Sequence, residues 1–510
     1  MSNLKIWSCL IAVSVWMISC DQSSTKEKVS ETASDKLPIE SAILEQPKSF
    51  FYVDFEHYPE MDKQLPIGVF DSGTGGLTVL DAIVRYDGYD NTDKSTGADG
   101  TPDFDKETFI YLADQANMPY GNYSSEDKTD LLVEHIVKDA QFLLSNKYYK
   151  NANALSPSQD KSPIKTLVIA CNTATAYGKE LIDEFIEKAG INVHVIGVID
   201  AGARGVLQVF GPKGNGAIGV MATVGTVASK GYENTILRIK EEQGYTGKIR
   251  IYNQGGHGIA EAVDEEPDFI HHDAQKPRVN YRGPSLDHEE FKIDKTLLDI
   301  YNFDFDHSKM LCDAKDTDDC TVLQLNDTEN YVRYHLVSLM EKIRKDPEAL
   351  PLKAIVLGCT HYPYLTSDIK MVLDELYDYR KEGRYIYREL MDENVSIIDP
   401  SVKVAEELYV YLNAHDLFNP SGDMAKSQFY ISVPNTDNPQ VTTDQNGRFP
   451  YDYKYGRKAG EIQEYVKVVP FAPSNIPNET VERLSGSIPA TFQLIPGFSA
   501  QHKALSEHEK

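Results

Sequence analysis

The chain is poor in tryptophan, cysteine and basic residues, and it has no long hydrophobic run. Its 510 residues include two Trp, Trp7 and Trp16, both near the N-terminus. Six Cys are far too few for a disulfide-built scaffold, so each must be asked individually what it does. Lys plus Arg total 51 against 78 Asp plus Glu, a formal net charge of −27. A chain this acidic lacks the basic face that phosphate neutralisation requires, which excludes general nucleic-acid binding. The one apolar run that could enter a membrane, Leu10 to Ile18, is too short to span it as a helix, which needs about 20 apolar residues. What is present suits a globular protein: 41% hydrophobic and 25% charged residues. The length suggests two to four domains at roughly 100–200 residues each.

Lys5 precedes the apolar run, which closes on Met17-Ile18-Ser19-Cys20 before Asp21-Gln22-Ser23-Ser24. A positive residue, a short apolar stretch and then small polar residues form a secretory signal. The ending resembles the lipobox of bacterial lipoproteins, with Met where Leu is usual. That resemblance implies removal of residues 1–19, a lipid on Cys20 and a membrane-anchored protein in the cell envelope, facing the periplasm. The plainer alternative is an ordinary cleaved signal in which Cys20 is incidental. Residues 21–48, rich in Ser, Lys, Glu and Asp without periodicity, read as a flexible tether within a lead-in over 20–65.

From Pro66 the texture changes. Short, continuous apolar runs recur at Ile67 to Phe70, Thr166 to Ala170, Val193 to Ile199, Ala217 to Met221, Ala354 to Leu357 and Val395 to Ile398. Continuous rather than alternating runs predict strands buried on both faces. Helical stretches lie between them, at Lys128 to Leu144, Gly178 to Ala189 and Val332 to Arg344. Alternating strands and helices predict an α/β protein with parallel sheets. Three polar stretches break the rhythm, near 86–106, 151–163 and 265–320, and read as insertions.

An internal echo points to chemistry. Lys165-Thr-Leu-Val-Ile-Ala-Cys171-Asn172-Thr173 and Lys353-Ala-Ile-Val-Leu-Gly-Cys359-Thr360-His361 share one frame. In each, a buried strand should end at a Cys with a helix to follow, and ligands bind at the carboxyl ends of such strands. A lone Cys there is usually a small core hydrophobe; two in matching frames, each followed by hydrogen-bonding side chains, are not easily read so. Inverting a carbon that bears a weakly acidic proton needs a base on one face and an acid on the other. A thiolate and a thiol supply both, given a nearby group to help. Asp71 and His361 are candidates for that help. The turn Asp71-Ser72-Gly73-Thr74-Gly75-Gly76 fits neither a dinucleotide fingerprint, since position 78 is Thr, nor a Walker loop. It suits a small anion instead.

Together Ile67-Gly-Val-Phe-Asp71-Ser72-Gly-Thr-Gly-Gly, Ala170-Cys171-Asn172-Thr173-Ala174 and Gly358-Cys359-Thr360-His361-Tyr362-Pro363 resemble the hallmark motifs of glutamate racemases, of the cofactor-independent aspartate/glutamate racemase superfamily. Asp114 through Pro119-Tyr120-Gly121, Thr223 to Ser229 with Tyr232, and Ile398-Asp399-Pro400 match in the same order, so the resemblance runs from about residue 66 to about 412. It implies two pseudo-symmetric α/β domains, with mainly parallel sheets flanked by helices and the active site at their interface. It implies a two-base mechanism without metal or other cofactor. Cys171 would act on the D-enantiomer with Asp71, and Cys359 on the L-enantiomer with His361. Ser72, Asn172, Thr173 and Thr360 would hold the α-amino and α-carboxylate groups. Pro119, Tyr120 and Gly121 would frame the side-chain carboxylate.

On this reading the domains run 66–198 and 199–394, with a return to the first domain over 395–436 and a C-terminal extension over 437–510. The partners are a small amino-acid substrate and, through the anchor, a membrane; a homodimer is left open. Two departures stand out. Asp200 occupies a position where the family has Glu, and the segment preceding a family Glu near the site is replaced by Asn253-Gln254-Gly255-Gly256-His257-Gly258, leaving Asp264 or Glu261 to stand in. Racemisation of aspartate or another α-substituted acid, or a silent amino-acid-binding lipoprotein, are the alternatives. Cys312 and Cys320 suggest a local disulfide in an oxidising compartment. The Asp-rich stretch 86–106 misses EF-hand spacing and reads as a solvated acidic loop. His271, His272 and His288 read as surface histidines rather than metal ligands.

Overall fold

The computed structural model describes residues 37–59, 61–314 and 319–499. Cys20, the lipobox and the tether up to residue 36 lie outside the described residues. Among the described residues no helix is long and apolar enough to cross a membrane.

Fourteen strands are formed: β1 Ile67–Asp71, β2 Phe109–Ala113, β3 Thr166–Ile169, β4 His194–Gly197, β5 Gly216–Ala222, β6 Ile249–Gly255, β7 Met310–Cys312, β8 Leu323–Leu325, β9 Leu352–Gly358, β10 Arg380–Lys381, β11 Arg384–Tyr385, β12 Met391–Ile398, β13 Gln428–Pro434 and β14 Val466–Pro470, among the described residues. They build a six-stranded sheet ordered β14-β13-β2-β1-β3-β4 and a four-stranded sheet ordered β12-β9-β5-β6. Apart from the antiparallel edge pair β13–β14, every pairing in these two sheets is parallel. The run β2-β1-β3-β4 in the first sheet repeats as β6-β5-β9-β12 in the second. The pseudo-symmetry implied by the two Cys frames is therefore a property of the strand order.

The continuous apolar runs are explained by helices on both faces. In the first sheet Tyr111, Ala113 and Val168 point into one core with Leu80 and Leu408, while Ile110, Leu112, Leu167 and Ile169 point into another with Leu132 and Ile182. The period is two, but neither face meets water, so no polar alternation survives. The second sheet repeats the pattern: Ile218, Val220, Ala354 and Val356 face one core, Met221, Ile355 and Leu357 the other.

Several sequence expectations are corrected. The strand Met391–Ile398 pairs with β9 and belongs to the second sheet, so the return to the first lobe begins after it rather than at 395. The lead-in is not a free tether throughout: helix Pro38–Leu44 buries Ile39, Ala42 and Ile43 in the core that also holds Leu131. Residues 437–499 are no appendage. β14 closes an edge of the first sheet, and helices Asn478–Ser487 and Pro489–Leu494 bury Val481, Leu484 and Phe492 in the core that holds Val69. The acidic stretch 86–106 uses its carboxylates on its own backbone. Asp87 accepts from the N–H groups of Asp99 and Gly100, and Asp103 from those of Gly88 and Tyr89. The local disulfide expected between Cys312 and Cys320, by contrast, is present, with Cα atoms 5.7 Å apart.

The two lysines of the echo have different fates. Lys165, at the foot of β3, is fully buried and pairs with Glu107 at 2.7 Å. Its remaining protons go to the carbonyls of Lys63 and Leu417, at 2.8 and 2.9 Å, and the other oxygen of Glu107 accepts from the Asn419 N–H. This pair clamps the start of the sheet to two distant stretches of chain. Removing one partner leaves the other charge buried and unpaired. Lys165→Met should therefore cost about 3–5 kcal/mol in chemical denaturation; a loss well under about 1 kcal/mol would show the pair to be solvated.

Candidate active site

The carboxyl ends of β1, β3, β5 and β9 deliver the motif residues to one place between the sheets. β1 ends on Asp71, and the loop after it folds back so that the Asp71 carboxylate accepts from the N–H groups of Gly73 and Gly76, at 3.1 and 3.0 Å. A Cβ at Gly76 would fall on the Asp71 side chain, and one at Gly75 would lie 2.6 Å from Thr360 Oγ1 and 2.8 Å from the His361 ring. Glycine at these positions allows the first lobe's loop to touch the second lobe's Cys359 segment. Thr360 Oγ1 lies 3.4 Å from Asp71 Oδ1, and Thr78 Oγ1 donates to the Thr360 carbonyl at 3.4 Å.

Cys171 caps helix Asn172–Ala189, its Sγ accepting from the Ala174 N–H at 3.4 Å and donating to Ser72 Oγ at 3.7 Å. Both Cys171 and Cys359 are buried, and neither is in a disulfide. A helix N-terminus favours a thiolate. Here burial opposes it, and the Asp71 carboxylate adds to the opposition, so the Cys171 thiol is pushed well up and the sulfur rests protonated. Among the described residues no hydrogen bond joins Asp71 to Cys171; Asp71 acts on it through its field. Burial raises the Asp71 carboxyl itself, against the lowering effect of His361 and the two N–H groups.

The second thiol has a different setting. Cys359 Sγ lies 3.6 Å from His361 Nδ1, and His361 Nε2 lies 3.1 Å from Asp264 Oδ2. Asp264 Oδ1 accepts from Arg483 Nη2 at 2.8 Å. Burial alone would raise the Asp264 carboxyl, but His361 and Arg483 outweigh it and hold it well below the ordinary range. Burial alone would lower His361, but Asp264 outweighs it and holds the imidazole well above its usual value. An imidazolium at this distance donates to a thiolate; an imidazole accepts from a thiol.

Around the thiols lie neutral donors. Thr173 Oγ1 lies 2.8 Å from Thr223 Oγ1 and 3.0 Å from Thr226 Oγ1, a cluster of three hydroxyls from both lobes. Asn172 is held by Tyr232, whose hydroxyl donates to Oδ1 at 2.6 Å. Gly121 lies against Thr223, where a Cβ would come within 2.8 Å of the threonine's own. The Tyr120 hydroxyl is turned away, 2.6 Å from both Asp114 and Asp139. One hydroxyl carries one proton, so two carboxyl groups can both bond to it only if one is itself protonated. Burial raises both of them accordingly. Tyr120 thus offers the site its backbone, and the Pro119 carbonyl accepts from Tyr455.

No protein-family model matches the chain. The glutamate racemase of Thermoanaerobacter pseudethanolicus is 27% identical over 368 residues, covering 72% of this chain and 88% of that protein. The glutamate racemase of Oceanobacillus iheyensis is 28% identical over 373 residues, covering 73% and 87%. The chain is a glutamate-racemase-like amino-acid racemase, an isomerase. Among solved structures, glutamate racemase isoform RacE1 from Bacillus anthracis is similar at 23% identity and a TM-score of 0.41, covering 72% of the racemase described here and 88% of that chain.

Of the residues singled out in the racemase sequence, the structure brings Asp71, Ser72, Asn172, Thr173, Thr360 and His361 together with both thiols, and places Gly121 beside Thr223. Of the two stand-ins, Asp264 bonds to His361, whereas Glu261 does not. Asp200 is not in the site, because it pairs with Arg238 at 2.6 Å on the surface. His271, His272 and His288 do not converge; His272 pairs with Glu265 at the surface and His288 accepts from its own loop. Among the described residues the one cluster within metal-ligand reach is Cys312, Asp313 and Cys320, whose sulfurs are bonded to each other. Thr226 lies within the Thr223 to Ser229 match, where the resemblance gives it no role. Arg483 lay beyond every motif, and no local signal marks it.

The His361–Asp264 pair fixes the sign of a pH effect. Asp264 is depressed, so its contribution to stability is present above its unfolded value and fades as pH falls through the folded one. His361 is raised, so its contribution is complete below its unfolded value and is lost as pH rises through the folded one. The pair therefore stabilises most between about pH 4 and 6.5. Asp264→Asn should drop the His361 titration, followed by NMR of the ring protons, to or below its ordinary value, because burial then acts unopposed. Turnover should fall by roughly 10²–10⁴-fold, as for loss of an acid–base partner. An unchanged His361 titration would contradict this assignment.

Proposed function

We propose that the protein interconverts L- and D-glutamate by a two-cysteine, two-base mechanism in the cell envelope. The observation that carries this reading is the pair of free, buried thiols at equivalent strand ends of two pseudo-symmetric sheets, with unlike helpers. The relatives that match over most of their length are named glutamate racemases, which supports glutamate as the substrate.

In the L-to-D direction the Cys359 thiolate takes the α-proton and becomes a thiol. The electron pair left on the α-carbon spreads into the α-carboxylate. Cys171, protonated at rest, gives its proton to the opposite face and becomes a thiolate. The D-to-L direction runs these steps backwards. The α-ammonium of the substrate would neutralise Asp71, relieving the field that holds Cys171 protonated and letting that sulfur serve as a base when the D-enantiomer is bound. Ser72, Asn172 and Thr360 are the polar groups at hand for the α-amino and α-carboxylate groups. The Gly121 N–H and the Thr223 hydroxyl suit the side-chain carboxylate, and Thr173, assigned to the α-groups by the resemblance, bonds to Thr223 beside them.

The envelope location rests on the lipobox-like ending at Cys20. An exported enzyme would act on free glutamate outside the cytoplasm rather than supply synthesis within it. Cys20→Ser should release the protein from the membrane fraction or block its processing, and a wild-type protein wholly soluble in the periplasm would remove the anchor. Chiral chromatography of L- and D-glutamate after incubation with the mature protein tests the activity. Both enantiomers should converge on a racemic mixture, and Cys171→Ala or Cys359→Ala should each abolish the conversion. Racemisation retained by either variant would overturn the mechanism.

A further inference from the structure

Arg483 belongs to helix Asn478–Ser487, far beyond the stretch over which the chain resembles the racemases, yet it reaches the site. Its Nη2 bonds Asp264 Oδ1 at 2.8 Å and lies 3.3 Å from Thr74 Oγ1, its Nη1 donates to the Val263 carbonyl, and its guanidinium lies over the Tyr364 ring, 5.2 Å from the centroid. Asp264 is thus shared: one oxygen faces the imidazole of His361, the other the guanidinium. The helix that carries Arg483 is anchored independently, through Val481 and Leu484 in the core of the first lobe. A cation is therefore held in the second lobe's acid–base relay by a helix packed on the first.

We propose that Arg483 is a positioning residue of the racemase: by sharing Asp264 with His361 it keeps the imidazole's proton exchangeable with Cys359. With Asp264 to itself, a buried imidazolium would hold its proton so firmly that it could neither give it up nor take part in resetting the thiol. A second cation on the same carboxylate weakens that hold, since it draws the carboxylate's charge and repels the imidazolium. The charged and titratable groups whose fields reach His361 are Asp71 at the end of β1, Glu261 and Asp264 from the segment after β6, and Cys359 beside it; Arg483 acts on it through Asp264. Arg483 is the cation that the structure bonds directly to Asp264 besides His361.

The inference rests on the reading of Cys359 and His361 as one of the two acid–base units, but its test does not need turnover. In the full mature protein, Arg483→Met should raise the NMR titration midpoint of His361 by roughly one unit, the effect of a unit charge about a carboxylate's width away. The shift is opposite in sign to that of Asp264→Asn. Arg483→Lys, which keeps the charge, should return the midpoint toward that of the wild type. kcat should fall about tenfold or more in Arg483→Met, with KM little changed. Should the Met variant not fold, Arg483→Gln, whose amide can still reach the Val263 carbonyl, carries the same test. A His361 midpoint that stays put or falls in a folded neutral variant would overturn the proposal. So would neutral variants that both fail to fold while Arg483→Lys folds, since Arg483 would then be only a structural staple. A raised midpoint in a protein that never racemises glutamate would keep the role of Arg483 and remove the proposed activity.

Discussion

One buried carboxylate holds the site together. Asp264 sits after the short helix Ile259–Val263, and it faces His361 from the segment after β9, Arg483 from helix Asn478–Ser487 and Thr74 from the loop after β1. A lone carboxylate at such depth would protonate, because burial disfavours charge. Two cations keep it ionised, and that is why the imidazole beside Cys359 carries a proton. Loss of the carboxylate would leave an imidazole and a guanidinium buried together with nothing between them. The two lobes, the loop after β1 and helix Asn478–Ser487 are thus coupled through a single side chain.

The two thiols live in unlike fields despite their equivalent places in the strand order. Cys171 has a hydroxyl, a helix N-terminus and an unneutralised carboxylate nearby; Cys359 has an imidazole tied to an anion. A reaction that moves a proton from one face of a carbon to the other needs such a difference at the start of each turnover, and substrate charge can reverse it. The pseudo-symmetry of the fold supplies the positions, and the unlike neighbours break it.

Much of this was legible in the sequence because it is local. Runs such as Thr166 to Ala170 and Ala354 to Leu357 mark strands buried on both faces, and the Cys at each end marks the edge where ligands bind. What was not legible is long-range. Val395 to Ile398 reads as a strand, but nothing in those residues says that its partner is β9 rather than a strand of the first sheet. Helix Pro38–Leu44 has seven residues, too few for its period to stand out from the polar stretch before it. Arg483 is one charged residue on a short helix. Its partner Asp264 is distant in sequence, and a charge on a helix is ordinarily a solvated one. The choice of Asp264 over Glu261 depends on where helix Ile259–Val263 stops, which spacing alone does not fix.

The central claim is that two different groups handle the proton on the two faces of the α-carbon. It is tested most directly by following the α-hydrogen in heavy water during the first turnovers from L-glutamate, with the D-product trapped as it forms. Two bases predict deuterium at the α-carbon of the D-product while the recovered L-substrate keeps its hydrogen, because each thiol exchanges with solvent on its own face. Deuterium appearing in recovered L-glutamate as fast as in the product would mean that one group serves both faces, and would contradict the account.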